Sequence, residues 1–259
     1  MSEAASPSDA APAKAGVPPE LSRPGLPPEA SQPVDVRKMF DRIAPRYDAA
    51  NRVMSAGIDV LWRRAAMRAL LADLGPRPLV LDLGAGTLDG ALEIVRRRPE
   101  ARVVGADFAR QMLKVGRRKL GKRASQIVAH AADGHALPYG AGAFDGVFTG
   151  FCVRNLENLP KALPELRRVL RPGGTLVVLE FFRPTRRRLF FDRFYNARVL
   201  PVIGRAVTGD RQAYAYLPAS IDRFLSRSEF EDALRATGFN QVTGRDLFPG
   251  GVASQVVAR

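Results

Sequence analysis

Cysteine is nearly absent: the 259-residue sequence contains one, Cys152. A lone cysteine excludes an internal disulfide and is typical of a protein that works in a reducing cytosol. Long hydrophobic runs are absent too, since none approaches the roughly 20 apolar residues that a membrane-spanning helix needs. The first residues also lack the basic and apolar regions of a signal peptide. These absences predict a cytoplasmic protein without a membrane span.

Histidine is almost as scarce, with only His130 and His135. Neither lies at metal-ligand spacing from other ligand residues. We therefore predict that the protein has no metal site. His135 is expected to cap the loop that follows Asp133.

Acidic residues are outnumbered, since 26 Asp and Glu face 40 Lys and Arg, which gives a net charge of +14. Residues 1–34 contain four acids and two bases, a balance of −2, so the remainder carries +16. Such a charge attracts nucleic acids and anionic lipids. The arginines are scattered rather than gathered in one block, which favours ordinary solvated helix faces.

The N-terminal segment, residues 1–34, differs in composition from the rest of the chain. It is rich in Ala, Pro and Ser and holds 8 of the 20 prolines. It lacks the apolar periodicity needed to bury a face, so we predict a disordered tail. Residues 35–259 are then expected to form one folded domain.

Strand and helix patterns alternate through most of this domain. A hairpin is predicted near its end, where 241–247 and 252–258 flank a Pro-Gly-Gly turn. The alternation predicts an α/β fold: a Rossmann-like, doubly wound, mostly parallel sheet with a C-terminal antiparallel hairpin. The five earlier strands are expected at 79–82, 102–107, 126–133, 144–151 and 175–181, with a Pro-Gly turn at 171–174 before the last of them.

Two further segments are predicted to flank this sheet. Residues 35–72 show helical spacing, interrupted at Pro45 and Gly57, and are expected to cover the ligand edge of the sheet, with Asp59 capping the third helix. The interval 183–225 is basic first and then aromatic and aliphatic, and we interpret it as a helical lid insertion.

The first strand leads into a glycine turn at Gly84 and Gly86. Such turns at the carboxyl ends of strands bind ligands in open α/β sheets, and glycine lets the backbone approach closely. The next glycine is Gly90, one residue too far for the dinucleotide fingerprint G-x-G-x-x-G. The turn also lacks a following lysine, which disfavours a triphosphate ligand.

Three aspartates are predicted to close neighbouring strands beside this turn. Asp107 is placed to accept two hydrogen bonds from a ribose diol. Asp133 is placed for an adenine amino group, and Asp82 for the ammonium end of the ligand through water. Each alone is more simply a cap or surface acid, but their shared position at strand ends favours a nucleoside site.

These residues resemble class I S-adenosylmethionine-dependent methyltransferases, and over residues 38–259 the chain is similar to the ubiquinone/menaquinone biosynthesis C-methyltransferases. The broader resemblance lies in Leu79–Asp89, Gly105–Phe108, Asp133 and Arg171–Gly174. The closer one lies in Phe40–Asp48, Asn51-Arg52, Trp62–Arg64, Val153–Asn155, Leu179–Phe181, Arg198–Gly204 and Tyr216–Ile221.

The resemblance implies methyl transfer from S-adenosylmethionine to a ring carbon of a prenylated quinol, with demethylmenaquinol as the first candidate. It implies that Thr87, Asp107 and the pair Asp133-Gly134 contact the cofactor. It also implies that Tyr47, Arg154 and Asn155 line the acceptor pocket. An alternative is a ubiquinone-pathway benzoquinol or another small aromatic or lipid acceptor.

We expect Arg154 to lower the pKa of the quinol hydroxyl and to hold the resulting oxyanion. Asn155 and Tyr47 are expected to orient the hydroxyl or a water. A nucleic-acid-binding protein or an RNA methyltransferase is the alternative from another class, disfavoured because the aromatic residues lie apart from the basic ones. Residues 183–203 fit two interpretations equally well, contact with an anionic membrane or packing of a lid helix on the domain. The sequence does not indicate an oligomeric state.

The sequence departs from the family at four positions. Leu88 and Cys152 stand where the family usually has glycine, and Gly150 stands where it has a small polar residue. Val256 lies near the position of a C-terminal histidine. The first of these places a bulky side chain in the cofactor turn.

Overall fold

The fold is a seven-stranded sheet flanked by helices. A computed structural model of the protein describes residues 35–184, 210–247 and 252–259. The strand order is β3-β2-β1-β4-β5-β7-β6. The strands are β1 (Leu79–Leu83), β2 (Arg102–Asp107), β3 (Ile127–Ala131), β4 (Phe144–Gly150), β5 (Leu170–Glu180), β6 (Val242–Asp246) and β7 (Ser254–Ala258).

Strands β1 to β5 pair in parallel, and β7 pairs antiparallel with both β5 and β6. Strand order reverses between β1 and β4, so the ligand edge predicted for an open α/β sheet lies where these two strands end. The predicted α/β fold and its C-terminal hairpin are confirmed.

Helices cover both faces of the sheet. In the described residues they are α1 (Val36–Ile43), α2 (Tyr47–Met54), α3 (Ile58–Leu71), α4 (Asp89–Arg97), α5 (Arg110–Arg117), α6 (Leu159–Val169), α7 (Arg211–Arg223) and α8 (Arg227–Ala236). Short 3₁₀ turns lie at Ala44–Arg46, Gly121–Arg123 and Val153–Asn155.

Two buried cores follow from the alternation of side chains along each strand. Leu81 faces the core beneath α6 and α8, whereas Val80 faces the core beneath α3, α4 and α5. Because both faces are covered, the central strands are apolar throughout, as parallel strands usually are.

Several local predictions need correction. Gly57, with a φ of 79°, precedes α3 at the N-cap, so Asp59 is not the cap; it lies inside the first turn, where it is buried against Arg52. The predicted turn at residues 171–174 is a bulge within β5, because Phe144 pairs with Leu170 and Gly146 with Thr175. The second deviation reflects the pairing of β5 with β4.

The other flanking predictions are met in part. Helices α1 to α3 lie before the first strand, as expected for residues 35–72. The structure describes two parts of the predicted lid, 183–225: residues 183–184 and residues 210–225, where α7 forms. The rest of the lid, 185–209, lies outside the described residues. The predicted tail, 1–34, lies outside them as well. Within the described part of the chain, none of the helices has the length and apolar character to cross a bilayer.

Candidate functional site

A cavity of about 470 Å³ opens at the carboxyl edge of the sheet. It lies between α1 to α3, the ends of β1, β4 and β5, and α7. Its size and largely apolar wall suit a small-molecule site. Of the predicted site residues, Tyr47, Gly84, Gly86, Thr87 and Arg154 line it.

The glycine turn forms one wall of the cavity. Gly84 and Gly86 have φ values of 69° and 51°, which glycine adopts without steric cost. The Gly86 N–H donates to Oδ2 of Asp107 at 2.8 Å, and the Ala109 N–H donates to Oδ1 at 2.8 Å. Asp107 therefore fixes the turn from beneath and does not itself line the cavity. Burial raises its pKa to about 6.

Leu88 ends this turn in the left-handed conformation, with a φ of 66°. Its side chain is fully buried and points into the core rather than the cavity. A Cβ added to Gly105 or Gly116 would come within 2.7 Å of Leu88 atoms, so these glycines make room for the leucine. The bulky residue therefore leaves the ligand side of the turn open.

Asp82 lies below the cavity, against the first turn of α4. Its side chain is 2% exposed, and Oδ2 has no hydrogen-bond partner in the described structure. Burial raises the pKa of Asp82 to about 7, against the attraction of Arg63. Asp82 is thus a buried carboxyl with one oxygen that lacks a partner among the described residues, next to the ligand turn and not in the cavity wall.

Asp133 and Gly134 lie apart from the cavity wall. Asp133 Oδ1 accepts hydrogen bonds from the N–H and the ring Nδ1 of His135, at 2.9 and 2.7 Å. The Asn158 N–H donates to Nε2 of His135 at 3.2 Å, which ties the loop to α6. The hydrogen bond from the His135 backbone lowers the pKa of Asp133.

The three acids are not in register, contrary to the prediction. Asp107 is the last residue of β2, but Asp82 precedes the last residue of β1, and β3 ends at Ala131, two residues before Asp133. The expectation that each acid closes its strand beside a common cleft is therefore wrong for Asp82 and Asp133.

Thr87 connects the turn to the helical cover. Its hydroxyl donates to Oδ1 of Asp48 on α2, and Lys119 Nζ donates to Oδ2 of Asp48 at 2.7 Å. Lys119 also bonds Oδ1 of Asp89 at 2.6 Å. One lysine thus holds acids from the cover and from the start of α4.

Arg154 is buried in the opposite wall and forms an ion pair with Glu180. Its Nη1 donates to Oε1 of Glu180 at 2.5 Å and to the Phe151 carbonyl at 3.0 Å. Its Nε donates to Oγ of Ser220 at 3.3 Å, while Nη2 makes no hydrogen bond to any described residue. Burial alone would lower the pKa of Arg154, but the Glu180 carboxylate raises it. The guanidinium is therefore held as a cation.

Asn155 lies behind the cavity wall, although we predicted it in the wall. Its Nδ2 donates to the Phe151 carbonyl at 3.3 Å, and its Oδ1 accepts from the Tyr216 hydroxyl at 3.0 Å. Tyr216 of α7 does line the cavity. Because its proton is donated to Asn155, the Tyr216 oxygen retains lone pairs that can accept a hydrogen bond.

Aromatic rings surround Arg154. The Phe151 and Phe181 ring centroids are 4.6 Å apart, and Trp62 meets Phe181 edge-on at 5.9 Å. Phe151 has a φ of 56°, an unusual conformation for a bulky residue, and such conformations concentrate at functional sites. Tyr47 completes the aromatic surface, and burial raises its pKa.

Glu180, Tyr216 and Asp48 contribute to the site without a predicted role, although all three lie in the motifs that carry the family resemblance. Glu180 carried a usable signal, since it is an acid at the end of a strand that borders the site. Tyr216 and Asp48 carried none, because their importance comes from partners 61 and 39 residues away.

The described residues contain no group of three His, Cys, Asp or Glu side chains placed to hold a metal ion. They do fit S-adenosylmethionine. The glycine turn leaves backbone exposed to the cavity, and Asp48, Asp59 and Asp89 line it with carboxylates that attract a sulfonium or ammonium cation.

Comparisons with solved structures support the fold. The structure matches the [4+2]-cyclase SpnF with a TM-score of 0.64 and 19% identity, covering 86% of this chain and 95% of that one. It matches Haemonchus contortus phosphoethanolamine N-methyltransferase 2, solved with S-adenosyl-L-methionine, with a TM-score of 0.65 and 14% identity, covering 87% and 60%.

Sequence comparisons are more specific. The model of the ubiE/COQ5 methyltransferase family matches residues 29–259. The chain is 45% identical to a demethylmenaquinone methyltransferase of Thermus thermophilus, covering 78% of this chain and 91% of that protein. It is 44% identical to a ubiquinone/menaquinone biosynthesis C-methyltransferase of Syntrophotalea carbinolica, covering 83% and 90%. The chain therefore belongs to the ubiE/COQ5 methyltransferase family and is an S-adenosylmethionine-dependent methyltransferase.

Proposed function

We propose that this methyltransferase transfers a methyl group from S-adenosylmethionine to a ring carbon of demethylmenaquinol. The proposal rests on one observation above all: Arg154, whose Nη2 has no hydrogen-bond partner among the described residues, lies in the wall of a cavity lined by aromatic rings. The name of the Thermus thermophilus relative supports the naphthoquinol as acceptor.

The Arg154 cation has the properties needed to activate a quinol. A ring carbon becomes a good nucleophile when the neighbouring hydroxyl loses its proton, and a nearby cation lowers the pKa of that hydroxyl. Glu180 binds Nη1 of Arg154, which leaves Nη2 available to the acceptor. Arg154 is therefore proposed to stabilise the oxyanion rather than to remove the proton itself.

Tyr216 is proposed to orient the acceptor hydroxyl, with Asn155 as its positioning residue. The Tyr216 oxygen can accept the substrate proton in a hydrogen bond because its own proton is committed to Asn155. Tyr47 is proposed to contact the acceptor from α2. These roles extend the predicted assignment of Tyr47, Arg154 and Asn155.

The methyl donor supplies a sulfonium methyl group, and its site is proposed at the glycine turn, Gly84 to Thr87. Asp107 holds the turn in shape, while Asp82, Asp133 and Gly134 remain predicted contacts. Transfer of the methyl group from the sulfonium to the ring carbon of the quinolate neutralises opposite charges, so an enclosed apolar cavity favours it over water. The sulfur leaves as the neutral thioether of S-adenosylhomocysteine. The hydroxyl proton, and after the transfer the hydrogen of the methylated ring carbon, are released to water.

Two acceptors separate the proposal from its nearest alternative. Transfer of labelled methyl from S-adenosylmethionine is measured with demethylmenaquinol and with a ubiquinone-pathway benzoquinol, at equal tail length. We expect higher kcat/KM for the naphthoquinol. A higher kcat/KM for the benzoquinol would make it the acceptor in place of demethylmenaquinol. Transfer to neither compound would reject the proposed reaction.

The residue roles are tested with Tyr216→Phe and Arg154→Lys. We expect kcat to fall roughly 10²-fold for each, with unchanged affinity for S-adenosylhomocysteine, because each removes a group aimed at the acceptor. Tyr139→Phe is the matched control, since its hydroxyl bonds His130 away from the cavity. An unchanged kcat would remove that residue from the mechanism.

The acceptor carries a lipid tail, and membrane contact through residues 183–203 remains a proposal. Of this segment, only Arg183 and Pro184 are described, and Arg183 is paired with Glu229 at 2.7 Å. Flotation with anionic liposomes at low salt tests the idea, and failure to bind would reject it.

A further inference from the structure

We propose that Arg63 binds the carboxylate of the amino-acid part of the methyl donor. This inference rests on the proposed use of S-adenosylmethionine at the glycine turn, and it assigns a role to the Trp62–Arg64 motif that the mechanism leaves unused.

Arg63 is an arginine of the cavity wall whose guanidinium is largely unpaired. Among the described residues, Arg63 and Arg154 are the arginines that line the cavity. Arg154 has a carboxylate at 2.5 Å, whereas Arg63 has one carboxylate oxygen within 4 Å, at 3.5 Å on Asp59. A contact of 3.5 Å is at the limit of a hydrogen bond.

Asp59 has partners other than Arg63. Its Oδ1 already accepts from Arg52 Nη1 at 3.1 Å and from the Ser55 hydroxyl at 2.8 Å. The remaining guanidinium nitrogens of Arg63 have no hydrogen-bond partner in the described residues. The side chain is nevertheless only 17% exposed, so most of its solvation is lost without a close replacement.

The position of Arg63 places this cation beside the glycine turn. Burial alone would raise the pKa of Asp89, but the attraction of Arg63, ahead of Lys119, lowers it. The same attraction opposes burial at Asp82. Arg63 lines the same cavity as Gly86, Thr87 and Asp89, which places it on the donor side.

Of the two proposed substrates, only the methyl donor carries a carboxylate. A planar guanidinium binds a carboxylate through two parallel hydrogen bonds, which is the arrangement that an unpaired arginine favours. The acids lining this side, Asp59 and Asp89, are of the right charge for the ammonium group attached to the same carbon. The wall thus matches both charges of a zwitterionic amino acid.

Two ligands that differ by one carboxylate test the assignment. Calorimetry measures the Kd of S-adenosylhomocysteine and of its decarboxylated form, S-adenosyl-3-thiopropylamine, for the full chain and for Arg63→Met. We expect the variant to bind S-adenosylhomocysteine roughly 10- to 100-fold more weakly, as for a lost charged hydrogen bond. The decarboxylated ligand should change by less than about twofold.

Controls separate this role from folding and from general electrostatics. Arg64→Met is the matched variant, because Arg64 is half-exposed and 3.9 Å from Glu93, and it should bind both ligands like the unmodified chain. Arg63→Lys should recover part of the affinity for S-adenosylhomocysteine only.

Each other outcome overturns the inference. An equal loss for both ligands would make Arg63 a structural residue, and no loss for either would remove it from the donor site. A raised KM for the quinol with unchanged donor affinity would assign it to the acceptor. If the unmodified chain bound neither ligand, the proposed function itself would fail.

Discussion

The two walls of the cavity are held in place by different interactions. The strand-end wall, with Phe151, Arg154 and Phe181, rests on β4 and β5, whose central residues are almost fully buried. The helical cover, α1 and α2, packs on α5 and α7 through small apolar clusters around Met39 and Ala44, and it is also joined to the rest by polar contacts. These are Arg42 with Asp210 at 3.1 Å, the Gln111 N–H with Asp41 at 2.8 Å, Thr87 with Asp48, and Lys119 with Asp48.

Because the interactions differ, we expect the two walls to contribute differently to stability and to ligand binding. Apolar burial supplies most of the folding free energy and tolerates little displacement, so it suits residues that must keep a fixed geometry. Exposed ion pairs contribute little free energy and weaken in salt. We therefore expect changes in the strand-end wall to alter stability, and changes in the cover contacts to alter ligand affinity.

The largest effect is expected from Glu180→Gln in the strand-end wall. The variant leaves Arg154 as a buried cation without its partner, which costs about 3–5 kcal/mol of unfolding free energy. Urea unfolding measures the loss. Asp232→Asn, at an exposed pair with Arg235, is the control and should stay within about 0.5 kcal/mol. An equal loss of unfolding free energy for Glu180→Gln and Asp232→Asn would contradict the argument that the buried ion pair matters more than the exposed one.

Asp82 should make the same region sensitive to pH. Its pKa is raised to about 7 by burial, so the folded state holds the proton more tightly than the unfolded state. Stability should fall as pH rises from 4 to 7, by up to about 4 kcal/mol. Urea unfolding at several pH values across this range measures the effect. The free energy of unfolding should depend less steeply on pH for Asp82→Asn than for the unmodified chain, and Asp222→Asn, at an exposed position, is the control and should leave this dependence unchanged. If Asp82→Asn showed the same pH dependence as the unmodified chain, the burial argument would be contradicted.

Leu88 provides a smaller and more specific test. Leu88→Ala should cost about 2–5 kcal/mol through a cavity in the core. Leu88→Gly removes one more carbon but also relieves the left-handed backbone, worth about 1–2 kcal/mol. We therefore expect Gly at 88 to be as stable as Ala or more stable, the reverse of the order inside a helix. Thermal unfolding of the pair decides the point.

The smallest stability effect is expected in the cover, from Lys119→Met. Its ion pairs are partly exposed, so the loss should be below about 1 kcal/mol. Affinity for S-adenosylhomocysteine should nevertheless fall several-fold, because Asp48 and Asp89 then repel each other at the cavity wall. Lys114→Met, at an exposed position on α5, is the control. A large loss of unfolding free energy with unchanged ligand affinity would show that the cover contacts serve stability, contrary to the comparison of the two walls.

The sheet was predictable because its pattern is local. Hydrophobic runs ending in acids or glycines located five parallel strands, and a Pro-Gly-Gly turn between two short runs located the hairpin. The boundaries differed where pairing decided them, as at residues 171–174, where β4 forces a bulge into β5. Such register is a property of two strands, so neither strand alone reveals it.

The site was predictable in composition but less in geometry. Tyr47, Thr87 and Arg154 came from motifs and do line the cavity. Asn155 was misplaced because a residue next to a lining residue on a 3₁₀ turn points elsewhere. The pairing of Arg154 with Glu180 joins residues 26 positions apart, and no local pattern encodes it.

The lone cysteine of the chain offers a consequence for experiment. Its sulfur fills the space beside Gly84, and burial raises its pKa to about 12, so the thiol is unreactive in the native protein. Cys152 is the only thiol in the sequence, so the rate at which the protein is alkylated measures how often the structure beside Gly84 opens transiently. Donor binding should slow this alkylation, so Cys152 reports occupancy of the site without an introduced cysteine.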